Sequence, residues 1–371
     1  MELIGYFNDF LSEIRLPIPL KTELIEAHTK LTKLLSEDDS TKNLIVTTFL
    51  QGSYRRGTII KPANDQKSDV DVVVVTNIDH NIITAVEAIK HFEKFAKKHY
   101  ENNYQLQSKS IGLIDGNIEL DLVITALPIE GAELYKSDKL RRLGVFENIE
   151  DTVQLSNTAG FSYTNDFFKS LIKSDEYESW KSEPIKILDK DKIIWVVTNP
   201  IAQILWTLEK NKKTDGHYIN VVKCMKWWKR INANMPKHPK GYPIEHLFGY
   251  YAPEKMSSVA DGIVKTLQKI VAELKNNYET STVPKFEDHG VKKNVWERID
   301  IASFKKFYEQ VCFASEIAQK AYSETSTYES AKLWNQLLGE EFDVPPEPTG
   351  GARGGFTGVT GPSDPPGGRF G

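Results

Sequence analysis

Two aspartates that lead directly into an apolar run constrain this chain more than any other feature of its sequence. Asp69 and Asp71 are two positions apart, and the run 72–75 (VVVV) follows them without a break. A β-strand has a period of two residues, so both carboxylates project from one face, roughly 6–7 Å apart along the backbone. Carboxylates that close repel each other unless a cation lies between them. The pair predicts a site for a hard divalent cation, and Mg²⁺ suits it because this ion keeps positions open for substrate phosphates.

A glycine-serine turn lies upstream of the aspartates. Residues 44–51 (LIVTTFLQ) are a predicted strand that ends at Gly52 and Ser53. The backbone N–H groups and the hydroxyl of such a turn can bind phosphate oxygens. Alone, the turn would be an ordinary one. Combined with Asp69 and Asp71, it predicts a nucleotidyl-transfer site.

Transfer with two metal ions, which lie about 4 Å apart, needs a third carboxylate in the cluster. Asp121 is the best candidate, on a predicted strand (117–124) that follows an Asp-Gly hairpin signal at 115–116. Apolar neighbours flank Asp121 on both sides, which is a costly place for an unpaired charge. Glu119, on the same face and nearer to the turn, is the weaker alternative.

The periodicity of the chain predicts an α+β fold. Helices are predicted at 3–15, 21–35 and 84–99, and strands at 44–51, 70–76, 105–113 and 117–124. After a polar stretch without a clear pattern (126–195), the chain becomes mostly helical, with predicted helices at 201–209, 218–231, 243–249, 257–276, 301–323 and 330–338. We expect a mixed sheet with flanking helices over 1–198 and an all-α domain over 199–342.

The last segment, 343–371, differs from the rest in composition. It holds 9 Gly and 6 Pro in 29 residues and ends at Gly371. Such a segment cannot bury enough apolar surface to fold, so we expect a flexible tail.

Bulk properties narrow the function classes. A net charge of −4 over 371 residues does not favour extensive nucleic-acid binding. The only cysteines, Cys224 and Cys312, are isolated, which is typical of a reducing cytosol and provides no zinc pattern. The N-terminus lacks the features of a signal peptide, and no apolar run reaches the length of a membrane span. We expect a cytoplasmic protein that does not bind membranes.

Gly52-Ser53, Asp69-x-Asp71 and Asp121 together resemble the polymerase-β-like nucleotidyltransferase pattern. The extended form GSYRRGT…SDVDVVV…IELDLV is similar to the bacterial cGAS/DncV-like nucleotidyltransferases (CD-NTases) of CBASS anti-phage signalling systems. Segments 195–200, 221–228, 294–298 and 331–334 resemble later parts of that family, so the resemblance covers roughly residues 1–340. The early motifs are specific to the superfamily, and only their combination with the later segments is specific to the family.

The resemblance implies a polymerase-β-like core and an enzyme that joins nucleoside triphosphates, ATP among them, into a cyclic di- or trinucleotide second messenger. Asp69 and Asp71 would hold both metal ions, Mg²⁺ or alternatively Mn²⁺. Asp121 would complete the site of the metal that activates the attacking ribose hydroxyl. Gly52 and Ser53 would hold the donor triphosphate. An effector activated by the cyclic nucleotide would act downstream.

Basic residues offer further phosphate contacts. Lys223 and Lys226 lie near each other on a predicted helix. The resemblance puts one of them on the triphosphate and favours Lys226. The alternative is a solvated basic face, since Lys229 follows closely. Arg55 and Arg56 could also contact phosphates, and we expect at least one of them to face water.

The tail has its own implication. In some systems of the family, an E1/E2-like enzyme joins the C-terminal glycine of the synthase to target amines. A mobile Gly/Pro segment that ends in Gly371 fits this role, and the alternative is a disordered linker that ends in glycine by chance.

Two other functions stay open at this point. The chain could be another polymerase-β-like transferase that adds nucleotides to RNA ends or AMP to proteins. It could also be a degenerate nucleotide-binding module, although binding alone needs no intact set of Asp69, Asp71 and Asp121.

Overall fold

The computed structural model describes residues 1–63, 66–126, 185–191 and 193–348. The predictions for Gly371 and for most of the polar stretch 126–195 lie outside these residues.

A mixed sheet forms the centre of the first half of the chain, as the sequence predicts. The described residues contribute seven strands: β1 (Ile45–Gln51), β2 (Ser68–Thr76), β3 (Tyr104–Leu106), β4 (Ile111–Asp115), β5 (Ile118–Ala126), β6 (Ile185–Asp189) and β7 (Ile194–Thr198). The order is β1-β2-β5-β4-β3, and β6 pairs with both β5 and β7. β2 and β5 are parallel, whereas the other pairs are antiparallel.

The hairpin between β4 and β5 is confirmed. Asp115 pairs with Ile118 across a turn in which Gly116 has a φ of +59°, in the left-handed region that favours glycine. The predicted strand 105–113 is interrupted and becomes β3 and β4. β6 and β7 were not predicted: each has five residues, and the polar stretch before them gave no periodic signal.

Helices cover one face of the sheet. They are α2 (Ile18–Glu37) and α4 (Ala85–Tyr100), and a single turn, α3 (Gly52–Arg55), stands where a turn was predicted. α4 begins at a capping box, in which the Thr84 hydroxyl accepts from the Glu87 N–H and the Glu87 carboxylate accepts from the Thr84 N–H. The apolar face beneath includes Val70, Val72 and Leu120, all buried with residues of α2 and α4.

The second half is helical, as predicted. Its described helices are α5 (Pro200–Lys213), α6 (Tyr218–Ile231), α7 (Tyr242–Tyr251), α8 (Val259–Glu279), α9 (Ile301–Ser323) and α10 (Thr327–Leu338). They share one apolar core, which includes the fully buried rings of Trp296 and Trp334. Within the described ranges, no helix has both the length and the apolar character needed to cross a bilayer.

The N-terminal helix α1 (Ile4–Ile14) packs with the helical half rather than with the sheet. The Phe7 ring lies 5.0 Å, centroid to centroid, from both Trp334 and Phe342. The division at residue 198 stays a prediction, and these contacts place α1 on the other side of it.

The second face of the sheet joins the two halves. Val73, Val75 and Val123 form a small core with Ile201 and Leu205 of α5. Both faces of β2 and β5 are therefore covered beyond the first residues of each strand. The acidic residues lie near the starts of β2 and β5, where this cover ends.

Candidate active site

The three predicted aspartates lie together at the start of the parallel pair β2 and β5. Asp71 is the direct register partner of Asp121, and Asp69 is the partner of Glu119. Neighbouring strands are about 4.8 Å apart, so these four carboxylates share one patch of the sheet face. The structure thus brings together residues 50 positions apart in the chain, as the sequence analysis expects; their catalytic role stays a prediction.

The orientation of this patch is set by the alternation of the strands. Val70 and Val72 are buried on the face covered by α2 and α4, as are Leu120 and Leu122 on β5. Because side chains alternate along a strand, burial of these residues forces the acidic ones onto the opposite face. A slip of one residue in register would bury the carboxylates and expose the apolar set, which fixes the register strongly.

The turn at Gly52 and Ser53, which is predicted to bind phosphate (the phosphate turn), lies against the four carboxylates of Asp69, Asp71, Glu119 and Asp121 (the acidic patch). The φ of Gly52 is +75°, and a Cβ placed on it would lie only 1.7 Å from Oδ2 of Asp71. No residue with a side chain fits there without moving the aspartate. Ser53 follows at the start of α3, half-buried, and its carbonyl accepts from the N–H groups of Thr58 and Ile59. The turn and the metal-binding candidates are therefore in direct contact.

The electrostatics of the patch are unfavourable for three ionised carboxylates. Loss of hydration, followed by repulsion from Asp71 and Asp121, raises the pKa of Asp69 to about 8, although the side chain lies at the open side of the patch. Burial, Asp71 and Glu119 raise the pKa of Asp121 to about 7. Burial also raises the pKa of Asp71, and Arg56 opposes that shift. A bound cation would reverse these shifts, because it stabilises the ionised forms.

The donor set fits a hard divalent cation in its chemistry and register. Although Ser110 and Gln107 lie close enough to the Asp121 carboxyl to lower its pKa slightly, its buried Oδ1 accepts no hydrogen bond from the described residues, as expected for an acceptor that a cation would satisfy. Across the described ranges, however, no three Asp, Glu, His or Cys side chains converge closely enough to form a ready-made metal site. Carboxylates that repel one another separate, so convergence of these side chains would have to accompany binding of the ion.

Lys226 reaches the patch from α6, but its ammonium is engaged by protein groups. It lies 3.1 Å from Oε1 of Glu245 on α7 and donates to the carbonyl of Thr58 at 2.9 Å. Oε2 of the same glutamate accepts from Nε of Arg56 at 3.0 Å. Lys226 still lowers the pKa of Asp69, after the larger raising effects, so it faces the acidic patch electrostatically.

Three basic residues differ from their expected surroundings. The expectation that Arg55 or Arg56 faces water is wrong: both are buried, at 2% and 5% exposure, because the segment after Gly52 is enclosed by the helical half. Lys223 is fully buried, one helical turn from Lys226. This burial does not favour a contact with triphosphate, and that role of Lys223 stays a prediction.

Comparisons with known proteins agree with this geometry. A family model described as "Second Messenger Oligonucleotide or Dinucleotide Synthetase domain" (SMODS) matches residues 1–127. The "Cyclic AMP-AMP-GMP synthase" of Enterobacter hormaechei subsp. hoffmannii (strain UCI 50) is 37% identical over 374 residues, which cover 98% of each chain. The "Probable cyclic AMP-AMP-GMP nucleotide synthase" of Salmonella paratyphi B is 38% identical over 375 residues, again 98% of each chain.

This chain belongs to the bacterial CD-NTases. It is a nucleotidyltransferase of that family, whose named relatives are cyclic oligonucleotide synthases. The solved structure of the Bradyrhizobium diazoefficiens CD-NTase CdnG in complex with GTP shares the fold, with a TM-score of 0.63 over 91% of this chain and 95% of that one. Because the sequence identity is 9%, this similarity shows a shared fold and nothing about activity.

A cavity of about 330 Å³ opens in this CD-NTase between the β6–β7 hairpin and the helical half. Lys109, on its wall, precedes Ser110, which donates to Gln107; Gln107 in turn donates to Glu119 of the acidic patch. None of the described residues that line the cavity belongs to the acidic patch, and the connection between them is this hydrogen-bonded chain. Its other charged wall residues are Lys240, Lys293, Arg298, Asp288 and Glu297.

Sequence reasoning missed Glu245 as a member of the site in this CD-NTase. It is 2% exposed within an otherwise apolar helix, and its cationic partners come from 19 and 189 positions away. The sequence does place this acidic residue among Ile244, His246 and Leu247 in a predicted helix. Acidic residues are rarely buried unless they are paired, so this position indicates a buried carboxylate with a cationic partner. The sequence did not indicate which partner that would be.

Proposed function

We propose that this CD-NTase joins ATP and GTP into a cyclic trinucleotide of the AMP-AMP-GMP type. The observation that carries the proposal is the contact of Gly52 with Asp71, whose register partner is Asp121. It joins a phosphate turn to a set of carboxylates suited to divalent cations. The identity of the product is supported by the names of the two relatives that match nearly the whole chain.

The residues divide the chemistry between them. Asp69, Asp71 and Asp121 would hold Mg²⁺, or alternatively Mn²⁺, which when bound neutralises charge on the phosphates and lowers the pKa of the attacking hydroxyl. Gly52 and Ser53 would receive the donor triphosphate through backbone N–H groups and the serine hydroxyl. Their contribution is positioning: they would hold the donor phosphate in line with the attacking ribose.

The cavity that Lys109 lines offers space for the nucleosides. Four cations line it, Lys109, Lys240, Lys293 and Arg298, so the local charge is positive although the whole chain carries −4. Loss of hydration, and after it repulsion from Lys293, lowers the pKa of Lys109. An incoming polyphosphate would relieve that repulsion. We propose that a nucleotide occupies this cavity during synthesis.

Product analysis tests this function. The purified protein is incubated with Mg²⁺ and each labelled NTP, alone and in pairs, and the products are identified by mass spectrometry. We expect a cyclic trinucleotide only where ATP and GTP are both present, and none from an Asp69→Asn variant. Transfer of AMP to the protein or to added RNA would show instead another polymerase-β-like transferase. Binding of NTPs without any product would favour a degenerate nucleotide-binding module.

We propose in addition that the protein acts in the cytoplasm, in a CBASS anti-phage system with an effector that responds to the cyclic nucleotide. Cys224 and Cys312 are free thiols in the structure, in keeping with a reducing compartment. Measured plaque formation should fall in cells that carry the synthase with its neighbouring genes, and Asp69→Asn should restore it. Equal plaque counts for both would contradict this role.

Conjugation of the C-terminal glycine by an E1/E2-like enzyme is a separate proposal. It is supported by the Gly/Pro composition of 343–371. Gly371→Glu should abolish conjugation, detected as a mass increase on a target amine, and leave nucleotide synthesis unchanged. Conjugation that persists in this variant would contradict the proposal.

A further inference from the structure

Glu245 lies at the centre of a buried ionic network that joins the two halves of the molecule. Its two carboxylate oxygens contact Arg56 at 3.0 Å and Lys226 at 3.1 Å. The exposed fraction of the side chain is 3% for Glu245, 6% for Arg56 and 14% for Lys226. Opposite charges this well enclosed are hardly screened by solvent, so the three side chains constrain one another.

The network contacts the segment that follows the phosphate turn, residues 56–58. Arg56 directly follows α3, which begins at Gly52, and its guanidinium also lies 5.0 Å from the ring centroid of Tyr242 on α7. Lys226 donates to the carbonyl of Thr58, two residues further on. The helical half therefore holds this segment by a side chain and by the backbone, and Glu245 connects both attachments.

We propose that Glu245 is a positioning residue for triphosphate binding: it holds Arg56 and Lys226 so that the Gly52–Ser53 turn and the Lys226 ammonium face the same ligand. The inference rests on the proposed function, because it takes a nucleoside triphosphate as that ligand. An ammonium has three N–H groups. Glu245 and the Thr58 carbonyl accept two of those of Lys226, which leaves the third for a phosphate oxygen.

A double-mutant cycle between Glu245 and Lys226 tests this role. Glu245→Gln keeps the shape of the side chain and removes the one negative charge that Arg56 and Lys226 share, so both cations lose their counter-ion. We expect the KM for the nucleotide to rise about tenfold, with kcat changed by less than about threefold, because the triphosphate is held in the ground state and the transition state alike. In a Lys226→Met background, the same change should raise KM by clearly less, about threefold or below, because one of the two groups that Glu245 positions is gone and only Arg56 remains.

Asp261→Asn serves as the matched control. Asp261 is also a buried carboxylate of the helical half, paired with Lys265 at 2.8 Å, but it contacts neither the phosphate turn nor α7 directly. This variant should lose thermal stability and keep its KM. Glu245→Asp gives a second test if Glu245→Gln does not fold: the shorter side chain keeps the charge and cannot span both cations, so KM should again rise.

Binding of ATP with Mg²⁺, measured by calorimetry, separates this inference from the proposed function. If the wild-type protein binds ATP and forms no cyclic product, the proposed function fails, and the weaker binding expected for Glu245→Gln still supports the positioning role. An unchanged affinity in Glu245→Gln would overturn the inference, as would equal effects in the wild-type and Lys226→Met backgrounds.

Discussion

Two charged clusters lie next to each other in this molecule, and they are built in opposite ways. The acidic patch gathers Asp69, Asp71 and Asp121, none of which forms an ion pair with a cation among the described residues, and their pKa values rise. In the neighbouring network, burial would raise the pKa of Glu245, but Arg56 and Lys226 outweigh it and hold that pKa at about 2. In one cluster two cations of the protein compensate the carboxylate, whereas the other leaves negative charge in excess.

The difference separates a carboxylate whose charge the protein itself compensates from carboxylates whose charge it does not. A buried carboxylate is stabilised when cations surround it, as around Glu245. A set of like charges at the edge of a core costs stability and persists where an outside group completes it. We propose that a divalent cation completes the patch, whereas groups of the protein surround the carboxylate of Glu245; Arg56 acts on both.

Replacing Asp71 should have the largest effect and tests the contrast directly. Asp71→Asn removes a metal-ligand candidate, which should lower nucleotidyl transfer on the order of 10³-fold, since bound metal supplies several kcal/mol of charge stabilisation. Without metal, the melting temperature should stay equal or rise, because the amide no longer repels Asp69. A transfer assay and thermal unfolding in EDTA measure the two effects.

Asp38→Asn is the corresponding change in a satisfied carboxylate. Burial would raise the pKa of Asp38, yet its hydrogen bonds with Lys98 at 2.7 Å, with Ser40, and with His99 at 2.8 Å hold that pKa well below its usual range. This variant should lose about 1–3 kcal/mol of stability and keep its activity. If both variants lose stability equally, the contrast between the clusters does not hold.

Gly52→Ala should have the next largest effect. The new Cβ would clash with Asp71, which must move, and the residue keeps a φ of +75° that alanine rarely adopts. We expect a loss of transfer activity of about 10²-fold, because displacement of a catalytic group by about 1 Å costs that much. Rates and melting temperatures of the variant provide the measurement.

Gly216→Ala separates strain from displacement. Gly216 has a similar φ of +87°, but no atom lies within 4 Å of a Cβ placed there. It should lose about 1 kcal/mol of stability and retain full activity. Equal activity in the two alanine variants would show that contact with Asp71 is not what Gly52 provides.

The smallest effect is a pH dependence of stability that differs in sign between the clusters. Asp69 and Asp121 have folded-state pKa values of about 8 and 7, above the ordinary 3.8, so the folded state holds protons that the unfolded state releases. Their contribution to stability is present below pH 3.8 and is lost as the pH rises towards 8. Glu245 behaves inversely: its contribution is present above pH 4.5 and is lost as the pH falls towards 2.

Thermal unfolding between pH 5 and 8.5, with EDTA or with Mg²⁺, measures the first of these slopes. In EDTA the melting temperature should fall by a few degrees as the pH rises through this range. Mg²⁺ should remove the fall, because the ion binds the ionised carboxylates and its stabilisation grows with pH. Identical slopes in EDTA and Mg²⁺ would mean that the acidic patch binds no cation.

Much of the fold could be predicted from the sequence, because the patterns that indicate helices and hairpins lie within short segments of the chain. The helices of the second half follow from apolar periodicity, and the hairpin before Asp121 from one Asp-Gly pair. β6 and β7 were missed because five-residue strands carry little periodic signal and are stabilised by pairing with β5, far away in the chain. The packing of α1 on the helical half was also missed, since an amphipathic helix does not specify which core accepts its apolar face.

For the site itself, the sequence alone determined which carboxylates share a face, since strand alternation makes Asp69 and Asp71 neighbours and puts Asp121 on an equivalent face of its own strand. Tertiary structure decided the rest. The parallel register set Asp71 beside Asp121, the left-handed turn at Gly52 closed onto them, and the helical half buried Arg56 and supplied Glu245 as the partner of Lys226. Periodicity is a property of neighbouring residues, whereas the pairing of buried charges depends on segments that only folding brings together.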